Sequence, residues 1–430
     1  MTGEADTIFA VASGAGRAAV TVLRLSGPAA GPAMDRLCGR RPAPRRASLR
    51  ALRGEGGDML DRALVLWFPA PGSYTGEDSA ELHLHGGRAV LDAVAGALVN
   101  AGCRPADPGE FSRRAFLYGR MDLIEAEAVA DLVAAETAAQ RRQALRQLGG
   151  VLGTLYQGWT SRLTHLLAQQ EALIDFPDED LPHSVEGVML AEISALSNEI
   201  GLHLADGRRG ERLREGLVFA VVGTPNVGKS TLMNALAGRD VAIVSPSPGT
   251  TRDVLEVRMA LGGVPITLLD TAGLRDTDDP VEAEGIRRAR ARAEAADLVI
   301  VVRDATVAGP TRSDGIVVVA NKADLGTGHG YADVEVSALT GFGLERLREM
   351  LASEARRLTN AEGPPALTRP RHRAALMECR ERLEQAVRAE LAELRGEDLR
   401  IASRSLGRIT GRIGAEDVLD AVFSQFCIGK

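Results

Sequence analysis

The sequence predicts a multidomain chain of α/β and α class: an N-terminal α+β domain, a helical domain, and an α/β domain inserted into the helical one. Three observations predict it. The 430 residues suffice for two to three domains at roughly 150 residues each. Between residues 217 and 358 lie four short, predominantly apolar runs, LVFAVV, ITLLD, LVIVV and IVVVA, separated by helical or Gly-rich stretches; such runs mark strands buried on both faces of a sheet. Helical periodicity flanks that block on both sides. One helical domain interrupted by the α/β domain explains both flanks, because domain termini often lie close together and tolerate insertion.

Residues 1–120 mix alternating or apolar runs (AAVTVLRLSG, RALVLWF, AELHLHGG) with Gly and Pro punctuation, and form the α+β domain. The Arg/Pro stretch at 40–46 reads as a loop. From Leu123 to about His203 the apolar positions, including Leu163, Leu166, Leu167 and Ile174, recur at helical spacing, with a break at FPDEDLPH over 176–183. After the Pro-rich joint GPPALTRP at 363–370, helical spacing resumes at Leu376, Leu383, Val387, Leu391 and Leu394. The predicted domains are therefore 1–120, a helical domain from 121–213 and 371–430, and the inserted domain at 217–360.

Composition excludes several classes. Hydrophobic residues are 45% and charged residues 25%, which disfavours wholesale disorder. A formal net charge of -7 does not advertise a bulk nucleic-acid binder. No apolar run approaches the ~20 residues that span a bilayer, and the N-terminus MTGEAD is acidic, so a cytoplasmic protein without a membrane partner is expected. Cys38, Cys103, Cys379 and Cys427 are far apart, with no metal-ligand spacing, and are read as free thiols. Only three lysines, Lys229, Lys322 and Lys430, stand against 48 arginines. Each lysine is thus a candidate position for a compact point charge.

The run LVFAVV leads directly into Gly223-Thr-Pro-Asn226-Val227-Gly228-Lys229-Ser230-Thr231, a GxxxxGK[ST] loop in strand-loop-helix context. Its glycines let backbone N–H groups wrap phosphates, Lys229 neutralises the β/γ oxygens, and the Ser230 hydroxyl faces Mg²⁺. Three further motifs follow, each at a strand end: Asp270-Thr271-Ala272-Gly273, then Asn321-Lys322-Ala323-Asp324, then Ser337-Ala338-Leu339. Open α/β sheets bind ligands at that edge. The two acceptor oxygens of Asp324 match the ring N–H and exocyclic amine of guanine, and adenine presents the wrong donor pattern, so the base is that of GTP. Leu274 follows Gly273 where many small GTPases carry a water-orienting glutamine. Hydrolysis must draw its water-positioning group and its cation from elsewhere. Between the loop and Asp270 runs Ser245-Pro246-Ser247-Pro248-Gly249-Thr250-Thr251-Arg252-Asp253, in which the Thr251 hydroxyl is suited to complete the Mg²⁺ shell.

PNVGKSTLMNALAG, GTTRDV, DTAGLR and the terminal FCIGK, with LRLSG, SYTGEDSAELHLHGG and PGEFSRRAF N-terminally, resemble the bacterial tRNA-modification GTPase family MnmE (TrmE) along the whole chain. The resemblance implies a Ras-like G domain that dimerises, and a potassium ion beside the phosphates held by the positions matching Asn226, Ser245, Ser247 and Thr250. It implies a water-orienting glutamate at Glu282, whose plainer reading is a solvated residue opening a helix. It implies that the N-terminal domain binds 5-formyl-tetrahydrofolate or a related one-carbon folate through positions matching Arg24, Glu81, Arg120 and Lys430, and mediates homodimerisation. Arg120 departs from the family's lysine, and Tyr118 stands where asparagine is common. Arg24 and Glu81 also read simply as a surface pair on neighbouring strands. Cys427 is implied to be needed for tRNA modification, as nucleophile or acid; alone it reads as a buried small hydrophobe.

The same resemblance implies an FAD-dependent partner, MnmG, in a heterotetrameric complex. Together they add an aminomethyl or carboxymethylaminomethyl group at C5 of the wobble uridine, U34. Arg400, Arg404, Arg408 and Arg412 repeat every four residues and would form a basic stripe on an unbroken helix, either a solvated face or a tRNA or partner surface; Gly407 and Gly411 weaken that helix. The segment RDATVAGPTRSDG between LVIVV and IVVVA is short for a parallel crossover, so the G domain is expected to be trimmed there. A ribosome-assembly GTPase that shares the GTTRD switch and carries a KH-type RNA-binding module is the alternative; Gly411–Gly414 is a weak GxxG match to such a module, without flanking strand patterns.

Overall fold

The computed structural model describes residues 6–14, 16–175, 183–238, 256–270, 291, 293–307, 316–326, 330–359 and 366–411, together with 419, 422–424, 426 and 429. The chain forms two compact units, one of residues 1–130, 153–160 and 406–430, the other of 131–152 and 161–405.

The first unit is built on a six-stranded sheet of order β3-β4-β5-β2-β1-β6, comprising β1 (Thr7–Val11), β2 (Val20–Ser26), β3 (Ser48–Arg53), β4 (Met59–Phe68), β5 (Ser79–His85) and β6 (Cys103–Pro105). All neighbours are antiparallel except β1 and β6. Period-two patterning decides which face is covered: Ala63, Val65 and Trp67 of β4 point inward with Leu82 and Leu84 of β5. Helices α1 (Ala30–Cys38) and α2 (Arg88–Asn100) close that face through Ala33, Met34, Leu37, Val94 and Leu98. Each such Leu or Met contributes about 1.5–3 kcal/mol by leaving water. On the opposite face Phe111, from α3 (Glu110–Leu117), packs on Ile8, Ala10 and Ala106. Phe423 and Phe426 pack on Leu123 and Ala126 of α4 (Leu123–Ala134). Gly429 lies so close to the Val11 carbonyl that a Cβ would collide with it.

The second unit holds helices α5 (Ala138–Leu148), most of α6 (Val151–Asp175), α7 (His183–Leu204) and α8 (Arg209–Glu215), then a second six-stranded sheet. Its strands are β7 (Leu217–Val222), β8 (Glu256–Leu261), β9 (Val264–Asp270), β10 (Leu298–Asp304), β11 (Ile316–Asn321) and β12 (Val334–Glu335), in the order β12-β11-β10-β7-β9-β8. Only β8 runs antiparallel to its neighbour. Helix α9 (Lys229–Ala237) and helix α10 (Leu344–Thr359) pack on it, α10 through Leu344, Leu347, Leu351 and Ala355 at helical spacing. The unit continues into α11 (Pro370–Arg388) and most of α12 (Ala392–Thr410).

The chain leading into this sheet and the chain leading out are fastened together. Arg373 of α11 donates to Asp206 at 2.6 Å, to Glu211 of α8 at 2.8 Å and to the Leu204 carbonyl. Asp206 also accepts from the Leu367 N–H. Arg214 and Arg369 share Asp131, and Leu213 of α8 sits in the core of the sheet.

Two expectations are corrected. Leu391 and Leu394 do not continue one helix: the helix stops at Arg388, α12 starts at Ala392, and both leucines are exposed, while Arg395 is buried with its fork on Glu186 and the Ala386 and Ala389 carbonyls. Gly407 does not interrupt α12, so Arg400, Arg404 and Arg408 share an unbroken helix that ends at Gly411 (φ +79°). Arg400 is engaged there by Glu171 at 2.6 Å and Glu397 at 3.2 Å. Arg412 and Gly414 lie outside the described residues.

Candidate nucleotide-binding site

Strand β7 ends at Val222, and residues 223–228 turn the chain into α9 at the C-terminal edge of the sheet. Two glycines make the turn possible. A Cβ on Gly223 would collide with the Val302 carbonyl of β10, and one on Gly228, at φ +89°, with the amide of Asn321. Asn226 also adopts a left-handed conformation, at φ +63°. The N–H groups that open α9 have no intrahelical partner and form a region of positive potential suited to phosphate oxygens. Lys229 is buried, and its ammonium donates to the carbonyls of Gly223 (2.9 Å) and Thr224 (3.1 Å), so the loop curls around its own cation. Ser230 Oγ donates to Asp270 Oδ2 at 2.9 Å, bringing the hydroxyl beside the carboxylate that ends β9. Val227 points into the core and Thr231 is exposed.

Asn321, at the end of β11, is buried and joins three motifs. Its Nδ2 donates to the Val227 carbonyl at 2.9 Å and its Oδ1 accepts from the Ala338 N–H at 3.0 Å. The Ala323 N–H donates to the Val336 carbonyl, and buried Ser337 accepts from the Thr340 N–H through its hydroxyl. Asp324 and Leu339 are exposed. Lys322, at φ +65°, donates to Asp304 Oδ2 at 2.9 Å. That hydrogen bond, followed by those from Thr306, pulls the Asp304 carboxyl down to about 2.

The structure thus brings together Asn226, Val227, Gly228, Lys229, Ser230, Asp270, Asn321, Lys322, Ala323, Ser337 and Ala338 at one sheet edge. Ser245, Pro246, Ser247, Pro248, Gly249, Thr250, Thr251, Thr271, Ala272, Gly273 and Glu282 lie outside the described residues. Sequence reading missed Asp304. An acid closing an apolar run, beside a chain with so few lysines, was the available signal. Strand β10 runs two residues beyond the predicted LVIVV, through Arg303 and Asp304.

In the first unit, Arg24 of β2 and Glu81 of β5 face each other in register and are joined at 3.0 and 3.2 Å. The Arg24 guanidinium lies over the rings of Tyr74 (5.3 Å) and Phe111 (5.8 Å). Burial pushes the Tyr74 hydroxyl up, although Ser112 holds it at 2.8 Å. The loop at 73–79 packs against exposed Arg120: a Cβ on Gly76 would touch both Tyr118 and Arg120. Cys427 and Lys430 lie outside the described residues.

A mostly parallel sheet with a glycine loop opening a helix, and ordered polar motifs at successive strand ends, defines the P-loop GTPase class. Family models match as "GTP-binding protein TrmE N-terminus" over residues 7–120 and "MnmE helical domain" over 123–427. The chain is 57% identical over all of its length, and all of the relative's, to the tRNA modification GTPase MnmE of Gluconacetobacter diazotrophicus. It is 55% identical to that of Granulibacter bethesdensis, covering 99% of each chain. Among solved structures it is similar to Aquifex aeolicus Era Y63A bound to GDP.AlF4-, at 26% identity and a TM-score of 0.24, over 41% of this chain and 69% of that one. The chain belongs to the MnmE family of tRNA modification GTPases.

Proposed function

We propose that this protein hydrolyses GTP at the 223–230 loop and that turnover serves addition of an aminomethyl or carboxymethylaminomethyl group to C5 of the tRNA wobble uridine, with an FAD-dependent MnmG-type partner. The observation that supports the GTP reading is Asn321, which ties the phosphate loop to the 337–339 segment three residues before Asp324, the residue read as contacting the base. The candidate ligands of the nucleotide are Asn226 to Thr231, Ser245 to Thr251, Asp270 to Gly273, Asn321 to Asp324 and Ser337 to Leu339.

The neighbouring hydroxyl of Ser230 and carboxylate of Asp270 are hard oxygen donors, and fit Mg²⁺, with Thr251 as a further ligand. The exposed Asn226 amide fits a monovalent cation such as K⁺, with Ser245, Ser247 and Thr250 as its partners in this reading. When bound, such a cation supplies positive charge to the leaving diphosphate, the role an arginine finger fills elsewhere. Lys229 holds phosphate charge, the α9 amides orient it, and Glu282 orients the attacking water. Cys427 acts in the tRNA chemistry.

In the first unit, Arg24, Glu81, Arg120 and Lys430 are the proposed contacts for a one-carbon folate such as 5-formyl-tetrahydrofolate. Arg24 supports that reading, because its side chain is already largely buried and its guanidinium lies over the Tyr74 and Phe111 rings. Domain limits of 1–120, 121–213 with 371–430, and 217–360, a homodimer, and a cytoplasmic setting complete the proposal. No helix among the described residues is long and apolar enough to cross a membrane.

The decisive experiment is GTP turnover in potassium against sodium at equal ionic strength. Faster turnover in potassium is expected, and equal rates would remove the cation mechanism. Glu282→Ala is expected to slow turnover severely with little change in GDP affinity; a collapse of affinity would make its role structural.

A further inference from the structure

We propose that Asp304 is a positioning residue for the nucleotide base, holding the ammonium of Lys322 so that the lysine stem is a preset wall beside Asp324. This rests on the guanine reading of Asn321–Asp324. Neither the phosphate loop nor the base-reading motif contains Asp304. It arrives because β10 and β11 run parallel in a register that sets Asp304 opposite Asn321.

Four observations converge on it. First, Lys322 sits in the left-handed region, at φ +65°, fixed by the Ala323 N–H on the Val336 carbonyl and the Leu325 N–H on its own carbonyl. A β-carbon is held in that region only where its surroundings demand a particular side-chain direction. Second, the two oxygens of Asp304 are divided. Oδ2 takes the Lys322 ammonium at 2.9 Å, and Oδ1 takes the Thr306 N–H at 3.0 Å and its hydroxyl at 2.7 Å. The carboxylate is therefore aimed before any ligand arrives.

Third, the turn beneath it is pinned. Buried Arg303 donates to the carbonyls of Asp304, Val307, Gly330 and Tyr331, at 2.9 to 3.2 Å, and the Ala305 N–H donates to Asn321 O at 2.7 Å. Fourth, the Asp304–Lys322 pair is itself partly exposed, 21% and 33% for the two side chains. Such pairs contribute little to folding. A pair that adds little stability yet is fixed this thoroughly is best explained by what it orders. A free lysine stem must lose its rotamer freedom when a base docks against it, and one already held loses far less.

The test is a double-mutant cycle on the full chain, read with a fluorescent methylanthraniloyl GDP. Asp304→Asn, which keeps the size and the acceptor for Thr306, is expected to weaken GDP binding about tenfold, mostly through faster dissociation, and to raise KM for GTP similarly at unchanged kcat. Tripolyphosphate, which has no base, should bind wild type and variant alike, whereas a merely structural role would weaken both ligands. On a Lys322→Met background, Asp304→Asn should have no further effect. A full tenfold loss on that background, or tighter GDP binding by the single variant, would overturn the proposal. The guanine reading is tested separately: wild type that binds the ADP analogue as tightly as the GDP analogue defeats that reading, whatever Asp304 does.

Discussion

Loops 223–228 and 73–79 are both motif loops flanking a sheet, and they are held by opposite means. The first is shaped by what is missing: at Gly223 and Gly228 there is no room for a Cβ, and the backbone approaches β10 and Asn321 directly. The second is shaped by polar side chains that satisfy one another out of water. Glu77 accepts from Ser26 Oγ at 2.8 Å and from Arg114 at 3.2 Å, Ser26 and Thr75 share a hydrogen bond of 2.6 Å, and the Gly76 and Glu77 N–H groups donate to the hydroxyls of Ser73 and Thr75. A loop whose polar groups already bond to each other holds a shape. A loop built on glycines keeps its donors for a ligand.

If that contrast is right, damage to the first loop appears in binding and damage to the second in stability. The largest effect is expected from Arg114→Met. Arg114 and Glu77 are each 7% exposed in their side chains, and removing one partner strands the other charge, at a cost of about 3–5 kcal/mol. Both tryptophans, Trp67 and Trp159, are buried in the first unit, so denaturant unfolding followed by tryptophan fluorescence reads this loss directly. GDP affinity should not change. Loss of GDP binding with an unchanged unfolding midpoint would reverse the assignment of roles.

Next in size is Gly228→Ala. The new methyl meets the Asn321 amide and the backbone must leave φ +89°. GDP affinity is expected to fall about 100-fold, roughly 2.7 kcal/mol, with little movement of the tryptophan transition. Asn321→Ala sharpens the comparison further, because Asn321 is a buried side-chain brace within the glycine-built site. It leaves the Val227 carbonyl and the Ala338 N–H without their bonds, which costs about 1–3 kcal/mol. Both GDP affinity and the stability of the second unit should fall together, as measured by dissociation rate and by hydrogen exchange at Ala338.

The same contrast explains what was legible in the sequence. β7, β9, β10 and β11 were readable because parallel strands buried on both faces are apolar over most of their length, and the glycine loop because phosphate binding constrains spacing as well as composition. β8 was not, since an edge strand, EVRMAL, alternates charge and apolar residues weakly, and two-residue β12 carries no pattern. β3 and β6 were missed for similar reasons, SLRALR placing arginines where a strand needs only one covered face and β6 spanning three residues; apolar β1, TIFAV, carried a strand signal that was overlooked. The 73–79 loop was recognisable only by resemblance. Its partners Ser26 and Arg114 lie far away in sequence, and nothing in local spacing reveals a buried network. Asp304 and Lys322 are 18 residues apart and meet only through strand register.

The smallest predicted effect concerns a second satisfied carboxylate, and separates hydrogen bonding from charge in the first unit. Asp61 of β4 is almost wholly covered. Burial alone would raise its pKa, but the His85 N–H at 2.9 Å, the His85 ring at 2.7 Å and the Arg62 N–H at 2.7 Å outweigh it and bring the carboxyl below its ordinary value. A folded-state pKa below the unfolded one adds stability that is present above the unfolded value, near 4, and is lost as pH falls through the folded value. Tryptophan-detected stability should therefore decline below about pH 4. Asp61→Asn should lower stability at pH 7 and flatten the decline. His85→Phe, which keeps the backbone N–H bond, should flatten it only in part. If both variants leave the acid limb as steep as in wild type, Asp61 does not control it.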